Sequence, residues 1–392
     1  MDCRSLKRHG FQKRDGQVMS EQAFHLCVQN RLENPMINTV PVTPNRVLQC
    51  LEPLYQLRMA AFLHGAPGIG KSTLIRDFAL SKGIDLQIVL LSQIEAADLR
   101  GLPALNHQTQ TTIWYRPEFL PTSGEGILFL DELTGAEPRL QVAAYQLILD
   151  RRIGEYRLPD GWWVVGAGNA PDDGAVAYDM GLALADRLVH FKVVPEPKEW
   201  IKWGQNHGIA PEVLTFIQVK PDFLESNQMQ QAAGQLIGPT PRSWERVSRV
   251  ISAEPSRDAR EFLVSGIVGE AAAAEFFHVV EELKDLPPMD RLFDTVDDKR
   301  KLTKMLPLTL SGLYGLTYSL AAYCSEIKDF QKAIVILEAM SRVEDELPRA
   351  EVQALAMELL LEKAGKMGLL FQLGDTPEYG AYRKKAKEIV EL

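Results

Sequence analysis

The sequence predicts an α/β fold, in which a parallel sheet carries helices on both faces and is followed by an all-helical region. Two observations lead to this class. Short apolar runs recur through the first half of the chain and are separated by longer stretches, which is typical of parallel sheets whose strands are buried on both faces. After Pro195 the apolar residues recur at helical spacing instead, with long helical patterns over residues 259–283, 314–337 and 352–373.

The predicted elements of the sheet follow one another in order. A helix precedes the first strand, and it is predicted by the helical spacing of Leu48, Leu51, Leu54 and Leu57. Pro53 should kink or divide this helix. The first strand covers Ala60–Leu63. Further apolar runs predict strands over residues 87–91, 126–130, 162–167 and 188–193.

A chain of 392 residues is long enough to divide into two or three domains. Residues 1–42 mix charged and polar side chains without periodicity, which predicts a poorly ordered tail. We predict an α/β core over residues 43–195, a helical domain over residues 196–255 and a second helical domain over residues 256–392.

The composition limits the classes of partner. The chain is 46% hydrophobic and 24% charged, with a formal net charge of -9, which is ordinary for a soluble globular protein. Affinity that comes from the phosphate charge of nucleic acid requires a basic surface. We therefore do not expect a nucleic-acid partner.

The sequence also predicts a location. Its four cysteines have no metal-ligand spacing and no apolar signal segment begins the chain, so we expect a reduced, cytoplasmic setting. Residues 305–325 lack charge but contain proline, serine, threonine and tyrosine. They predict a buried helix and no membrane span.

A glycine-rich turn lies between the first predicted strand and a helical pattern. Residues 65–72, GAPGIGKS, fit the pattern GxxxxGK[ST]. In such a loop the backbone N–H groups point at phosphate oxygens, and the following helix adds its positive N-terminus. We expect Lys71 to reach the β and γ phosphates and Ser72 to ligate magnesium, whereas the alternative is a structural turn without a ligand. The predicted nucleotide-binding residues of the loop are Gly65, Ala66, Pro67, Gly68, Ile69, Gly70, Lys71, Ser72 and Thr73.

Two adjacent acids end a later apolar run, ILFLDE, at residues 127–132. Ligands of open α/β sheets bind at the carboxyl ends of the strands. We expect Asp131 to hold the magnesium and Glu132 to activate the attacking water. With the glycine loop, these acids predict a nucleoside triphosphate and Mg²⁺ as ligands and hydrolysis of the triphosphate as the reaction.

Three further polar residues are candidates for the same site. Asn169 ends the next apolar run and can hydrogen-bond the γ phosphate or the water, or serve its own turn. Arg187 lies in a short apolar segment, where an arginine needs an anionic partner; it is a candidate to complete a neighbouring subunit's site, or it is solvated at the surface or pairs locally with Asp186. Arg242 starts a helix whose predicted N-cap is Thr240, and it faces either the γ phosphate or solvent.

The succession of motifs resembles that of AAA+ ATPases, and in detail the MoxR and dynein-related branch. The resemblance covers residues 48–250 and is carried by GAPGIGKST, AADLRGLPAL, GILFLDEL, PRLQVAAYQLILDRRIGEYRLPDGW, VVGAGNAPDD, ADRLVHF and TPRSW. It implies a P-loop ATPase core followed by a helical lid over residues 196–255. It also implies that Asn169 is the sensor 1 residue, Arg187 the arginine finger and Arg242 the sensor 2 residue.

The resemblance further implies a homo-oligomer. Members of this branch form hexameric rings with ATP between subunits, and many remodel proteins together with a partner that bears a von Willebrand factor A domain. Residues 94–121 resemble the insert that points toward the pore of such a ring, and Trp114 and Tyr115 either grip a partner there or pack on their own domain. Residues 154–163 resemble the loop before sensor 1, as a hairpin that turns at Pro159–Gly161.

Three functions remain open at this point. The first is a magnesium-dependent ATPase that remodels a protein partner. The second is a nucleic-acid motor or regulator, which predicts a basic pore or a DNA-reading module. The third is a nucleotide-controlled scaffold with little turnover, against which the acids Asp131 and Glu132 argue. Arg151 and Arg152 compete with Arg187 for the trans-acting role.

Overall fold

The structure is a computed structural model that describes residues 39–169, 180–226, 234–343 and 345–390. It divides into two compact units: the chain up to Pro67 together with Lys71–Val194, and Gly68–Gly70 together with the chain from Pro195 onward. Of the tail predicted for residues 1–42, residues 1–38 lie outside the described part. The prediction is wrong for Pro41 and Val42, because their backbones pair with a strand of the sheet.

The described residues of the first unit contain a six-stranded parallel sheet with the order β1-β10-β2-β9-β6-β3. This confirms the predicted α/β class, and each predicted strand lies within two residues of an observed one. The strands are β1 (Pro41–Val42), β2 (Ala61–His64), β3 (Asp85–Leu90), β4 (Leu102–Asn106), β5 (Thr111–Tyr115), β6 (Gly126–Asp131), β7 (Arg152–Ile153), β8 (Tyr156–Arg157), β9 (Trp162–Gly168) and β10 (Val189–Val193).

Helices connect the strands of the sheet. They are α1 (Pro44–Leu57), α2 (Lys71–Lys82), α3 (Ala96–Arg100), α4 (Pro138–Asp150) and α5 (Leu182–Ala185). The expected division of α1 at Pro53 does not occur. Val47, Leu51 and Leu54 are buried on both sides of the proline, and this packing offsets the lost backbone hydrogen bond.

The neighbouring interior strands β6 and β9 are buried along their whole length, as expected for interior strands of a parallel sheet. Their close approach requires a glycine at the start of β6. A Cβ atom on Gly126 would lie 2.6 Å from the carbonyl oxygen of Asp85 and 2.9 Å from the ring of Trp162. The strands therefore end in register, and Asp131 and Asn169 leave the sheet at the same edge.

Two short hairpins project from the connections. In the first, β4 pairs with β5, and Trp114 packs under the Arg100 guanidinium, 4.3 Å from its ring centre. In the second, β7 pairs with β8 and the turn lies at Gly154 and Glu155. The prediction that the hairpin turns at Pro159–Gly161 is wrong. The hairpin turns at Gly154, which adopts the left-handed φ of 56° that a tight turn needs. Pro159 begins a separate, later turn, in which its carbonyl accepts from the N–H of Trp162 (3.0 Å).

The second unit is helical throughout its described residues. Its helices are α6 (Pro197–Asn206), α7 (Pro211–Val219), α8 (Pro241–Ser252), α9 (Arg257–Val268), α10 (Glu270–Leu283), α11 (Met289–Asp294), α12 (Lys299–Met305), α13 (Leu310–Tyr323), α14 (Ile327–Met340), α15 (Arg349–Lys366), α16 (Leu370–Gly374) and α17 (Pro377–Val390). Residues of α6–α10 share one hydrophobic cluster around Trp244, and residues of α11–α16 share another.

Three details of this unit matter below. The predicted buried helix over residues 305–325 is confirmed, because α13 buries eight of its residues. In the described residues, no helix combines the length and apolar character that crossing a membrane requires. Arg349 is 4% exposed; its guanidinium donates to both carboxylate oxygens of Asp345 (2.6–3.0 Å) and to the carbonyl oxygen of Pro307 (2.9 Å).

Candidate functional site

The glycine loop leaves the buried strand β2 and enters α2, as the sequence predicts. Gly65, Gly68 and Gly70 have φ values of 154°, 85° and 100°, which side chains other than glycine rarely adopt. A Cβ atom on Gly70 would meet nothing within 4 Å, so the inner side of the loop is open. A loop with this backbone and a helix N-terminus behind it is suited to anionic phosphate groups.

Lys71 is the first residue of α2 and is 8% exposed. Its ammonium group donates to the carbonyl oxygens of Gly65 and Ala66 and to the side-chain oxygen of Asn169 (3.2 Å). All three acceptors are neutral oxygens. These contacts hold the ammonium group against the glycine loop, where it fits a phosphate bound in the loop.

Ser72 and Asp131 lie side by side although they are far apart in sequence. The Ser72 hydroxyl donates to Asp131 Oδ2 at 2.5 Å, and Asp131 is 8% exposed at the end of β6. A hydroxyl and a carboxylate are hard oxygen ligands of the kind that Mg²⁺ takes together with nucleotide phosphates. These two residues fit the magnesium, and the described residues hold no cluster of three or more His, Cys, Asp or Glu side chains that could bind another metal.

Glu132 follows directly and has a left-handed backbone, with φ 57° and ψ 33°. This conformation costs a residue with a side chain about 1–2 kcal/mol and persists mainly where function requires it. The Glu132 N–H donates to Asp131 Oδ1 (2.9 Å). Its carboxylate accepts a hydrogen bond from the Ser92 hydroxyl, which follows β3. Groups at the ends of β3 and β6 thus contact this acid.

Asn169 follows the end of β9, and its side chain contacts Lys71. Its side-chain oxygen accepts from Lys71, and its backbone carbonyl accepts from the Thr134 hydroxyl (3.0 Å). The preceding residue must be glycine, because a Cβ atom on Gly168 would lie 2.3 Å from the Thr134 hydroxyl. The structure therefore brings Lys71, Ser72, Asp131, Glu132 and Asn169 together.

Ser92 and Thr134 were not found by sequence reasoning. Each is a single hydroxyl residue after an apolar segment, and no local pattern separates it from an ordinary turn residue. Only the pairing of β3 with β6 and of β6 with β9 places them beside Glu132 and Asn169.

The two predicted site arginines, Arg187 and Arg242, lie one in each unit. Arg187 is in the turn between α5 and β10, with an exposed side chain. Arg242 is in the second unit, where its backbone N–H donates to the carbonyl of Gly68 (3.1 Å), a residue of that same unit. Thr240 is confirmed as the N-cap of α8, since its hydroxyl accepts from the Ser243 N–H (3.0 Å). The roles of Arg187 and Arg242 at a nucleotide stay predictions.

Of the two competing arginines, Arg151 is engaged within its own unit. Its guanidinium donates to the carbonyl oxygens of Trp162 (2.8 Å) and Pro159 (2.7 Å). Burial lowers the pKa of Arg151, although the charge of Asp160 acts in the opposite direction. Arg152 is exposed in β7. The geometry thus gives Arg151 a structural task that Arg152 does not share.

Comparison with known families gives one partial match. The model of the viral superfamily 1 RNA helicase core domain matches residues 61–148, which contain the glycine loop and the acids at the end of β6. The match covers less than half of the chain. No curated protein sequence is similar enough to count as a relative.

Several solved structures are similar to this chain at low identity. They include NtrX from Brucella abortus in complex with ADP (14% identity over 86% of this chain and 73% of that one, TM-score 0.38). They also include the RuvB Holliday junction branch migration motor of Thermotoga maritima (14%, 66% and 76%, 0.33) and a candidate ATPase from Cytophaga hutchinsonii (11%, 81% and 90%, 0.32). At such identities and TM-scores these similarities carry no argument about activity.

The fold and the site together define a class. A parallel sheet whose strand ends bring a glycine loop, a lysine and two acids together has the features of a P-loop nucleotide-binding core. The MoxR and dynein-related branch stays a prediction.

Proposed function

We propose that this chain is a magnesium-dependent AAA+ ATPase of the MoxR type, which assembles into a cytoplasmic ring and remodels a protein partner. One observation supports the proposal above others: the 2.5 Å contact between Ser72 and Asp131. It joins the loop expected to bind phosphate to the strand end that carries Glu132, so the residues for binding and for chemistry share one place.

The residues divide the work of hydrolysis among them. The loop N–H groups and Lys71 bind the β and γ phosphates, and Ser72 and Asp131 hold magnesium, which neutralises charge that develops on the phosphates. Glu132 takes a proton from the attacking water at a carboxylate oxygen. Asn169, held by Lys71 and Thr134, orients that water or the γ phosphate.

Assembly completes the proposed site. Arg187 of one subunit stabilises the charge on the phosphoryl group bound to the next subunit, and Arg242 contributes from the lid of the binding subunit. The exposed side chain of Arg187 supports this arrangement, because a trans-acting arginine must reach outward from its own unit.

The β4–β5 hairpin supports contact with a protein partner. Leu102, Leu105 and Tyr115 are exposed by 67%, 73% and 66%, and apolar side chains gathered on one exposed hairpin are typical of protein interaction sites. Tyr115 fits the gripping role, whereas Trp114 packs against Arg100. A partner with a von Willebrand factor A domain is the kind that the MoxR resemblance implies.

The test is a Glu132→Gln variant in the full chain with ATP and magnesium. We expect it to bind ATP as the wild type does while kcat falls by about 10²- to 10⁴-fold, the usual contribution of a positioned base. The variant should also hold the assembly, and a hexamer of 43.9 kDa subunits has a mass of six times that value. Partners that co-purify can then be identified.

Two results would contradict the proposal. A Glu132→Gln variant with the wild-type rate would exclude Glu132 as the base. A wild type that assembles with ATP but releases no phosphate would favour the scaffold. Glu118→Gln, which removes an exposed carboxylate of the same unit, is the control and should leave kcat unchanged.

The helicase match at residues 61–148 supports a second candidate, a motor that acts on nucleic acid. The net charge of -9 argues against it. Binding of single-stranded RNA and of single-stranded and duplex DNA, measured over a range of salt concentrations, separates the two: tight and strongly salt-sensitive binding would favour the motor.

A further inference from the structure

Two histidines form a contact next to the glycine loop that the proposed chemistry does not use. His64 is the last residue of β2 and directly precedes Gly65, and His190 lies on the neighbouring strand β10. His64 Nε2 and His190 Nδ1 are 2.7 Å apart, and the rings are stacked with their centres 5.0 Å apart. His64 is 6% exposed. Such a contact, buried on one side, constrains both strands.

The hydrogen bond of His190 Nε2 determines which ring nitrogens carry hydrogen in both histidines. His190 Nε2 is 2.8 Å from the carbonyl oxygen of Ala185, which can only accept, so this nitrogen carries a hydrogen. In a neutral ring His190 Nδ1 then accepts from the N–H of His64 Nε2. His64 Nδ1, which is buried without a hydrogen-bond partner, keeps only a lone pair.

Ala185 ends α5, two residues before Arg187. The backbone around this arginine is tied down on both sides: its N–H donates to the Leu184 carbonyl (3.0 Å), and the N–H of Leu188 donates to the Ala185 carbonyl (3.3 Å). Leu184 and Leu188 are 1% and 8% exposed. The turn over residues 184–188, the Arg187 turn, is therefore held in one place by hydrogen bonds and burial. His190 connects it to His64 at the end of β2.

We propose that His64 and His190 are positioning residues that set the place of the Arg187 turn relative to the glycine loop. The inference rests on the proposed function, because it takes Arg187 as the residue that reaches the neighbouring subunit's nucleotide. The path is continuous through Ala185, His190, His64 and Gly65, whose carbonyl accepts from Lys71. A misplaced reacting group costs up to about a hundredfold in rate for a shift of about 1 Å.

Two substitutions of His190 separate its two hydrogen bonds. In His190→Asn the side-chain amide overlies Nδ1, so the contact to His64 is kept and the one to Ala185 is lost. In His190→Gln the amide reaches the place of Nε2 and still donates to Ala185. We expect each variant to lower kcat for ATP by about 10- to 100-fold with unchanged ATP affinity and melting temperature, because each breaks one link of the path from the Arg187 turn to β2. His107→Gln, which changes an exposed histidine between β4 and β5, should stay within about threefold of the wild type.

The double variant with Arg187→Ala identifies the route of the effect. If His190 acts through Arg187, adding His190→Asn to Arg187→Ala lowers kcat no further. A His190→Asn protein with the wild-type kcat, or with the same loss in both backgrounds, would overturn the inference while Arg187→Ala remained slow. An Arg187→Ala protein with the full rate would instead overturn the proposed function, and the inference with it.

A spectroscopic measurement tests the histidine contact without activity. Ring ¹⁵N spectra of the full chain at pH 7 should show a hydrogen on Nε2 of His190 and a neutral His64 ring with its hydrogen on Nε2. A His190 ring without a hydrogen on Nε2 would contradict the link to Ala185 whatever the rates.

Discussion

Acidification should destabilise the first unit through one buried side chain, His64. Its pKa is lowered to about 3, first because burial disfavours the charged ring and then because of the charges of His190, Lys71 and Lys192. In the unfolded chain the same ring takes up a proton near pH 6.5. The folded and unfolded states therefore bind different numbers of protons over about three pH units.

The sign and size of the effect follow from this difference. Between pH 6.5 and about pH 3 the unfolded chain binds a proton that the folded chain does not, so the free energy of unfolding falls as the pH falls. Each pH unit in this window is worth about 1.4 kcal/mol. From pH 7 to pH 5 the chain crosses about 1.5 such units, so His64 alone should cost about 2 kcal/mol. Above pH 6.5 its contribution is constant.

Hydrogen exchange measured by mass spectrometry on peptides from β2 and β10 reports the opening of this part of the sheet. The wild type is compared with His64→Gln at pH 7 and at pH 5. Because both proteins are measured at the same pH, the chemical rate of exchange and the titration of groups that do not interact with His64 cancel. We expect the wild type to lose about 2 kcal/mol more than His64→Gln. His107→Gln, which changes an exposed histidine between β4 and β5, should behave as the wild type.

Equal losses in the wild type and in His64→Gln would refute the reasoning. They would mean that His64 binds its proton in the folded state as readily as in the unfolded chain. A wild type that gained stability on acidification relative to His64→Gln would show that a charged ring is favoured in the fold.

Three further outcomes are expected. Ser92→Ala should raise kcat by up to about tenfold at unchanged ATP affinity, because the Ser92 hydroxyl competes with water for the carboxylate of Glu132; a lower kcat would show that Ser92 orients the acid instead. Arg151→Ala should lower the melting temperature through its two lost carbonyl contacts, and a large loss of kcat at unchanged melting temperature would favour a trans-acting role. In urea unfolding, Arg349→Ala should cost about 2–3 kcal/mol, whereas Arg257→Ala, from an exposed pair with Glu261, should leave the free energy of unfolding nearly unchanged; similar losses would contradict the importance of burial.

The parts of the site that the sequence predicts are those whose chemistry is local. The loop that ends in Lys71 and Ser72 and the acids after β6 are contiguous motifs, and the edge where they meet follows from parallel strands. Ser92 and His190 escape prediction because they gain their roles from neighbours on other strands. The hairpin turn was misplaced because Pro159 is a strong turn signal, yet Gly154 supplies the left-handed backbone that the turn uses.

The sequence also fails to predict that Pro41 and Val42 form a strand, again because their partners are distant in sequence. Pro41 and Val42 look like the end of a polar segment, and nothing in their own side chains marks a strand. They join the sheet because the edge of β10 offers backbone partners, and Val194 in turn donates its N–H to the carbonyl of Val42 (3.0 Å). Edge strands of two residues lie below what periodicity can detect.

The left-handed backbone of Glu132 means that selection of variants for heat resistance conflicts with selection for ATP hydrolysis. Glycine at this position would relieve the backbone cost, and asparagine would reduce it, so a library screened only for heat resistance should accumulate both. Each such clone would have lost the carboxylate that we propose as the proton acceptor. Among thermostable variants of this chain, those substituted at position 132 should therefore gain stability and lose ATP hydrolysis.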